Sequence, residues 1–176
     1  MACNLSQGRT EPCKDVIGGI QAVYFINYER DFRQKCTFDG TNTNVIDSFA
    51  VSAATAYKYE LKDASSFTEN IQSDRETGST AFEQVLEATF KKLSFTDHEE
   101  FEAMAKGRPI VIIKDNNDNC MLAGLDYGME LTAGVIQTGS AKTDLTGYTI
   151  TLTGMEKQPA YWLNVDVESI SGLTIA

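Results

Sequence analysis

The chain has 176 residues, which at roughly 150 residues per domain makes one domain with short arms at most. Fifteen Lys and Arg stand against 25 Asp and Glu, a net charge of −10 at pH 7. That deficit excludes the broad cationic surface on which sequence-specific DNA or RNA binding rests.

No run reaches the roughly 18 apolar residues of a membrane-spanning helix, and Met1-Ala-Cys-Asn-Leu5 lacks the basic start and apolar stretch of a secretion signal. The expectation is a protein with no membrane partner that folds in the cytosol. Its cysteines, Cys3, Cys13, Cys36 and Cys120, form no C-x-x-C pair, and His98 is the only histidine, so the close-spaced ligands of a zinc site are missing. The cysteines read as reduced thiols, with a Cys3–Cys13 bridge as the alternative.

Residues 1–14 are polar, include Gly8 and Pro12, and read as an N-terminal arm that only a partner would hold. A single domain of residues 15–176 follows. Residues 15–28 crowd β-branched and aromatic side chains and predict a core strand, with Gly18-Gly19 marking a bulge or a close approach of backbones. Residues 45–51 and 55–61 predict two more strands. In the second, Tyr57, Tyr59 and Leu61 alternate with Lys58, Glu60 and Lys62, core against water. Residues 63–79 carry only Phe67 and Ile71 as large apolar side chains and read as a long loop, of a length that is usually functional or disordered in compact domains.

Residues 81–93 fit a helical stripe and a strand alternation alike; the strand is preferred because a better helix follows. In that strand Phe82 belongs to the core with Leu86, Ala88 and Phe90, and Phe82→Ala is expected to cost about 3–5 kcal/mol. The helix spans residues 96–106: Thr96 and Glu99 have capping-box spacing, Phe101, Met104 and Ala105 share a face, and Gly107 with Pro109 ends it. Residues 110–114 and 120–125 flank the turn Asp115-Asn-Asn-Asp-Asn119 as a hairpin. Strands at 130–137, 148–153 and 161–167 complete a mainly β fold, a β-sandwich or barrel with one flanking α-helix.

Motifs that would carry chemistry fail in detail. Gly134 and Gly139 have phosphate-loop spacing, but Ser140 stands where the lysine is needed and a strand follows where a helix is required. Asp115-x-Asn117-x-Asn119 imitates a calcium loop, yet Cys120 occupies the place of the turn glycine and the bidentate glutamate is missing. His98 lies beside Asp97, Glu99 and Glu100 on a charged helix face, and no G-x-S-x-G elbow is present. The pairs Glu99-Glu100 and Asp74 with Glu76 read as solvated acids. No catalytic residue, metal ligand or cofactor is expected, and the protein reads as a non-enzyme.

The segment Cys13-Lys-Asp-Val-Ile-Gly-Gly-Ile-Gln-Ala-Val-Tyr-Phe25 resembles the opening of structural proteins of tailed bacteriophages that infect Bacteroidota, crAss-like phages among them. Asp144-Leu-Thr-Gly-Tyr-Thr-Ile-Thr-Leu-Thr-Gly-Met-Glu156 is similar to the later part of tail-tube-type virion proteins. Ser66-Phe-Thr-Glu-Asn70, Gly107-Arg-Pro-Ile-Val111 and the acidic turn at Asp115 add to the likeness. The resemblance implies a β-sandwich of tail-tube type and a virion subunit assembled in the host cytoplasm. Such a subunit builds a homo-oligomeric ring, six- or twelve-fold, or a tube, beside other virion proteins and around a channel that DNA passes through unbound. A head–tail connector ring and an injection-system tube are alternatives within that class. A monomeric β-barrel binding a small ligand or peptide is the alternative outside it. On the virion reading the loop and the arm clasp neighbours, and the candidate interface residues are Phe67, Glu69, Ile71, Asp74, Arg75, Glu76, Leu5 and Arg9. The acidic surplus either lines the channel or only keeps the domain soluble.

Overall fold

The structure is a computed structural model that describes residues 8–62 and 65–176. In chain order the elements are β1 (Ile20–Ile26), a 3-10 turn (Phe32–Lys35), β2 (Cys36–Phe38), β3 (Val45–Phe49), β4 (Ala54–Glu60), β5 (Ser66–Asp74) and β6 (Ser79–Lys91). Helix α1 (Phe95–Lys106) follows, then β7 (Ile110–Asp115), β8 (Cys120–Ala123), β9 (Glu130–Gln137), β10 (Gly147–Glu156), β11 (Tyr161–Leu163) and β12 (Leu173–Ile175). The fold is a β-sandwich with barrel character and one flanking helix. Eight strands form a curled sheet in the order β12-β4-β1-β7-β8-β11-β3-β2, and four form a second sheet in the order β5-β6-β10-β9.

Strands β1 and β7 explain the layering. Alternate side chains point to opposite faces of a strand, and here both faces are buried. Ala22, Tyr24, Ile26, Ile110 and Ile112 face the hollow of the curled sheet, where Phe32, Ile46, Leu122 and Leu163 complete one core. Val23, Phe25, Val111 and Ile113 face the second sheet and meet Leu86, Phe90, Tyr148 and Leu152 in another. The runs Ile-Gln-Ala-Val-Tyr-Phe-Ile and Ile-Val-Ile-Ile are therefore apolar at nearly every position, as burial on two faces demands. The two ends of the curled sheet are drawn together where Phe49 N–H donates to the Ser171 carbonyl at 3.0 Å and Ala53 N–H to the Gly172 carbonyl at 2.8 Å. Gly172 has a φ of +97°, and a Cβ there would lie 2.3 Å from the Phe49 oxygen, so only glycine permits the approach.

Helix α1 closes one side of the inter-sheet core, inserting Phe101 and Met104. The Phe101 ring lies 4.7 Å from Tyr148 and 5.2 Å from Phe90, centroid to centroid. Its cap is Ser94, whose side chain accepts from Asp97 N–H at 3.0 Å, rather than the expected Thr96. Ala105 is exposed and not part of the buried face.

The segment 63–79, expected to be a long loop, is mostly strand. Ser66–Asp74 pairs antiparallel with β6 through nine consecutive residues, and only residues 75–78 turn. Polar text misled here because β5 is an edge strand with little cover on either face, so nothing selects for apolar alternation. The three-residue strands β2 and β12 escape sequence reading for want of length. Phe82 does point to the core side of β6, but it is only half-buried and is not among the side chains of either core. Leu86, fully buried in the same row, is the anchor. Leu86→Ala should cost about 2–5 kcal/mol and Phe82→Ala distinctly less, read from urea denaturation midpoints of the two variants.

Candidate assembly surface

The second sheet has two free edges. β5 and β9 each pair with a single neighbour, so their outer backbone groups face away from the fold. Both edges carry apolar side chains in water: Ile71 on β5 is 70% exposed, and Val135 and Ile136 on β9 are each 54% exposed. β9 contains no lysine, arginine or proline, the residues by which edge strands are commonly guarded against pairing. Beside it, between β9 and α1, runs an apolar groove of about 360 Å³ lined by Phe101, Leu131, Val135, Ile136, Tyr148 and Ile150.

The sheet's outer face has a different character. Register places Thr68 on β5, Glu83, Val85, Glu87 and Thr89 on β6, and Thr149, Thr151 and Thr153 on β10 on this side. Glu83 accepts from Gln72 at 3.2 Å and Asn70 at 3.4 Å across the pair, and Thr132 meets Thr153 at 3.1 Å. Register places four acidic residues, Asp74, Glu83, Glu87 and Glu130, and one basic residue, Lys91, on this side. The result is a face of hydroxyls and carboxylates.

The candidate interface residues divide in two. Ile71, Asp74, Arg75 and Glu76 lie together on the exposed β5–β6 hairpin, and Arg9 lies on the exposed arm. Leu5 lies outside the described residues, as does Cys3. Phe67 and Glu69 instead serve the subunit itself. Phe67 packs against the inter-sheet core. One Glu69 carboxylate oxygen accepts from Gln84 at 3.0 Å and from Ala160 N–H at 2.8 Å.

Glu69 belongs to a buried polar clamp that sequence reasoning missed. Gln84 accepts from Gly124 N–H at 2.8 Å, and one Glu156 oxygen accepts from Asp126 and Tyr127 N–H at 3.1 and 2.9 Å. These two side chains, the buried polar ones in the core, hold the turn after β8 against the second sheet. Asp126 in turn pairs with Arg33 at 3.0 Å, and Arg33 also donates to Tyr161 Oη at 2.9 Å. A signal was present: Gln84 falls in the alternation Phe82, Leu86, Ala88, Phe90 and breaks its apolarity.

The remaining motifs have definite places in the fold. Gly134 sits in β9 and Gly139 in the turn that leads to β10, so the phosphate-loop spacing is a strand-to-strand connection. His98 is exposed on α1, and no three His, Cys, Asp or Glu residues converge on a metal position among the described residues. Cys36 and Cys120 are buried and Cys13 is exposed, all as free thiols; burial pushes the Cys36 thiol up to about 12. Comparisons with protein-family models, curated proteins and solved structures return no match to this chain.

Burial, helped by the neighbouring Asp126 carboxylate, pushes the Glu156 carboxyl up to about 6 despite its two backbone donors. A raised folded pKa means the native state holds the proton more tightly than the unfolded chain, whose glutamate titrates near 4.5. Stability from this group is complete below that value and is lost as pH rises through about 6. Glu156→Gln keeps an acceptor oxygen for both N–H groups. Its melting temperature relative to wild type should rise between pH 4.5 and pH 7.5 in differential scanning calorimetry, whereas a pH-independent difference would show that Glu156 does not titrate in this window.

Proposed function

We propose that the protein is a non-enzymatic structural subunit of a tailed-bacteriophage virion, of tail-tube type, that self-assembles into a ring or tube. The observation that carries this reading is the pair of open edges on one sheet. β5 and β9 offer unpaired backbone and exposed isoleucine and valine on opposite sides of the same four strands. A contact between unlike edges is head-to-tail, and head-to-tail contacts close into rings when the rotation per subunit allows. Pairing β9 of one copy with β5 of the next would satisfy both edges and cover Ile71, Val135 and Ile136. The resemblance to phage virion proteins supplies the biological class.

The acidic, hydroxyl-bearing outer face suits a channel wall. Carboxylates such as Glu83, Glu87 and Glu130 repel phosphate within a Debye length of about 8 Å at physiological salt, while threonines offer no cationic grip. DNA would then pass without binding. The groove beside β9 favours a second reading, a monomer that takes a small apolar ligand or an extended peptide, because its lining is predominantly apolar with few polar groups, as ligand sites are.

Light scattering on a sizing column, with negative-stain images of the concentrated peak, separates the two. Rings or concentration-dependent tubes are expected. A monomer at all concentrations would overturn self-assembly and leave the ligand-binding reading. Ile71→Lys and Ile136→Lys place a charge beside each open edge and should each abolish or strongly weaken assembly. Because both positions are already exposed, the monomer's melting temperature should shift by no more than about 2 °C.

A further inference from the structure

The turn Asp115-Asn-Asn-Asp-Asn119, which imitates a cation loop in sequence, is used in the fold to hold another segment of the chain. The Asp115 carboxylate accepts from the N–H groups of Asn117 and Asn119, both at 2.8 Å, and from the Asn119 amide at 2.9 Å. Burial acts to raise this carboxyl, but the donors from Asn119 and Asn117 outweigh it and hold the group below its ordinary value. The turn is thus braced from within, and Asn116 and Asn117 are turned toward the chain entering β1.

Asn117 grips one residue at two points. Its Oδ1 accepts from Ile17 N–H at 3.0 Å, and its Nδ2 donates to the Ile17 carbonyl at 2.8 Å. Asn116 holds the next two: its Nδ2 donates to the Gly18 carbonyl at 2.8 Å and its backbone N–H to the Gly19 carbonyl at 3.2 Å. β1 pairs with β7 up to Ile20 opposite Asp115, so these contacts carry the ladder past the end of β7, with side-chain amides in place of peptide groups. The fit requires glycine. Gly19 has a φ of +103°, and a Cβ on it would stand 2.8 Å from Asn116 Nδ2. Beyond the grip, residues 8–16 are exposed, with Val16 at 73%.

We propose that Asn116 and Asn117 form a latch that clamps the backbone at Ile17 and Gly18 and fixes the direction in which the N-terminal arm leaves the body, aiming it at a neighbouring copy; the aim, though not the latch, rests on the assembly reading above. Two bonds to a single residue set its orientation as well as its position. An arm whose root is already oriented loses less conformational freedom when a neighbour takes it up.

Native-state amide exchange on the full chain tests the latch, with thermal melting as the check on folding. The Ile17 amide should be protected in wild type and should exchange about tenfold or more faster in Asn117→Ala, with the Tyr24 amide unchanged. Asn119→Ala removes a brace inside the turn but no bond to Ile17 and should retain protection at Ile17, which separates the latch from a general loosening of the turn. An unprotected Ile17 amide in wild type, or protection that survives Asn117→Ala, would overturn it. Sedimentation of the same proteins tests the aim: Asn117→Ala should need about tenfold more protein to assemble. Equal assembly would overturn the aim alone, and a wild type that stays monomeric would overturn the assembly reading while the exchange result still decides the latch.

Discussion

The fold depends on two strands that are covered on both faces. β1 and β7 lie side by side in the middle of the larger sheet and contribute to both cores at once. Each polar substitution there would strand a group in one apolar layer or the other, so the choice of residues is narrow. Gln21 is instructive as the exception. It is exposed, and it sits where the β1–β7 register shifts between Ile20 and Ala22. A polar side chain is tolerated where the ladder itself gives way. Everything else is attached to this pair: the curled strands close over one side, and the second sheet with α1 covers the other.

The second sheet is the opposite case, with one face buried and one open, and its composition follows. Leu86, Ala88, Tyr148 and Leu152 point inward while threonine and glutamate point outward. Such a sheet is stable only so far as its inner face is held. The Gln84 and Glu156 clamp adds a polar tie to that apolar contact, with three of its bonds accepted from backbone N–H groups of the turn after β8. Directional bonds of this kind fix one relative placement of two layers, where apolar packing alone would tolerate sliding.

Those burial differences also decide what could be read in advance. Strands β1, β6, β7, β8 and β10 and the helix face at Phe101 and Met104 were visible because cover selects the residues beneath it. β5 was hidden for the converse reason: with no cover, Asn70, Gln72 and Asp74 are as acceptable as valine. The two open edges were invisible because edge or centre is a property of pairing, and pairing joins residues far apart in sequence. The asparagine grip on Ile17 bridges 100 positions, so its residues read only as turn formers. Of the candidate interface, the segment Ile71 to Glu76 was singled out by its lack of apolar partners, and it lies exposed on the β5–β6 hairpin. Phe67 and Glu69, taken with it, proved to face inward by the alternation of a strand that had not been recognised.

The curled sheet contains two parallel pairings, β3 with β11 and β4 with β12, which match Ile46 to Leu163 and Ala54 to Leu173. Each joins segments more than a hundred positions apart, and the later strand of each pair has three residues. Contacts of such long range form late and slowly, because the intervening chain must first be brought together. The hollow core therefore cannot be sealed on a chain emerging from the ribosome until residues 161–175 have been made. A fragment lacking them would expose Ile46 and Leu122 from the unfinished barrel while already carrying the whole of the smaller sheet. The smaller sheet can thus form first, and closure of the larger one waits on β11 and β12.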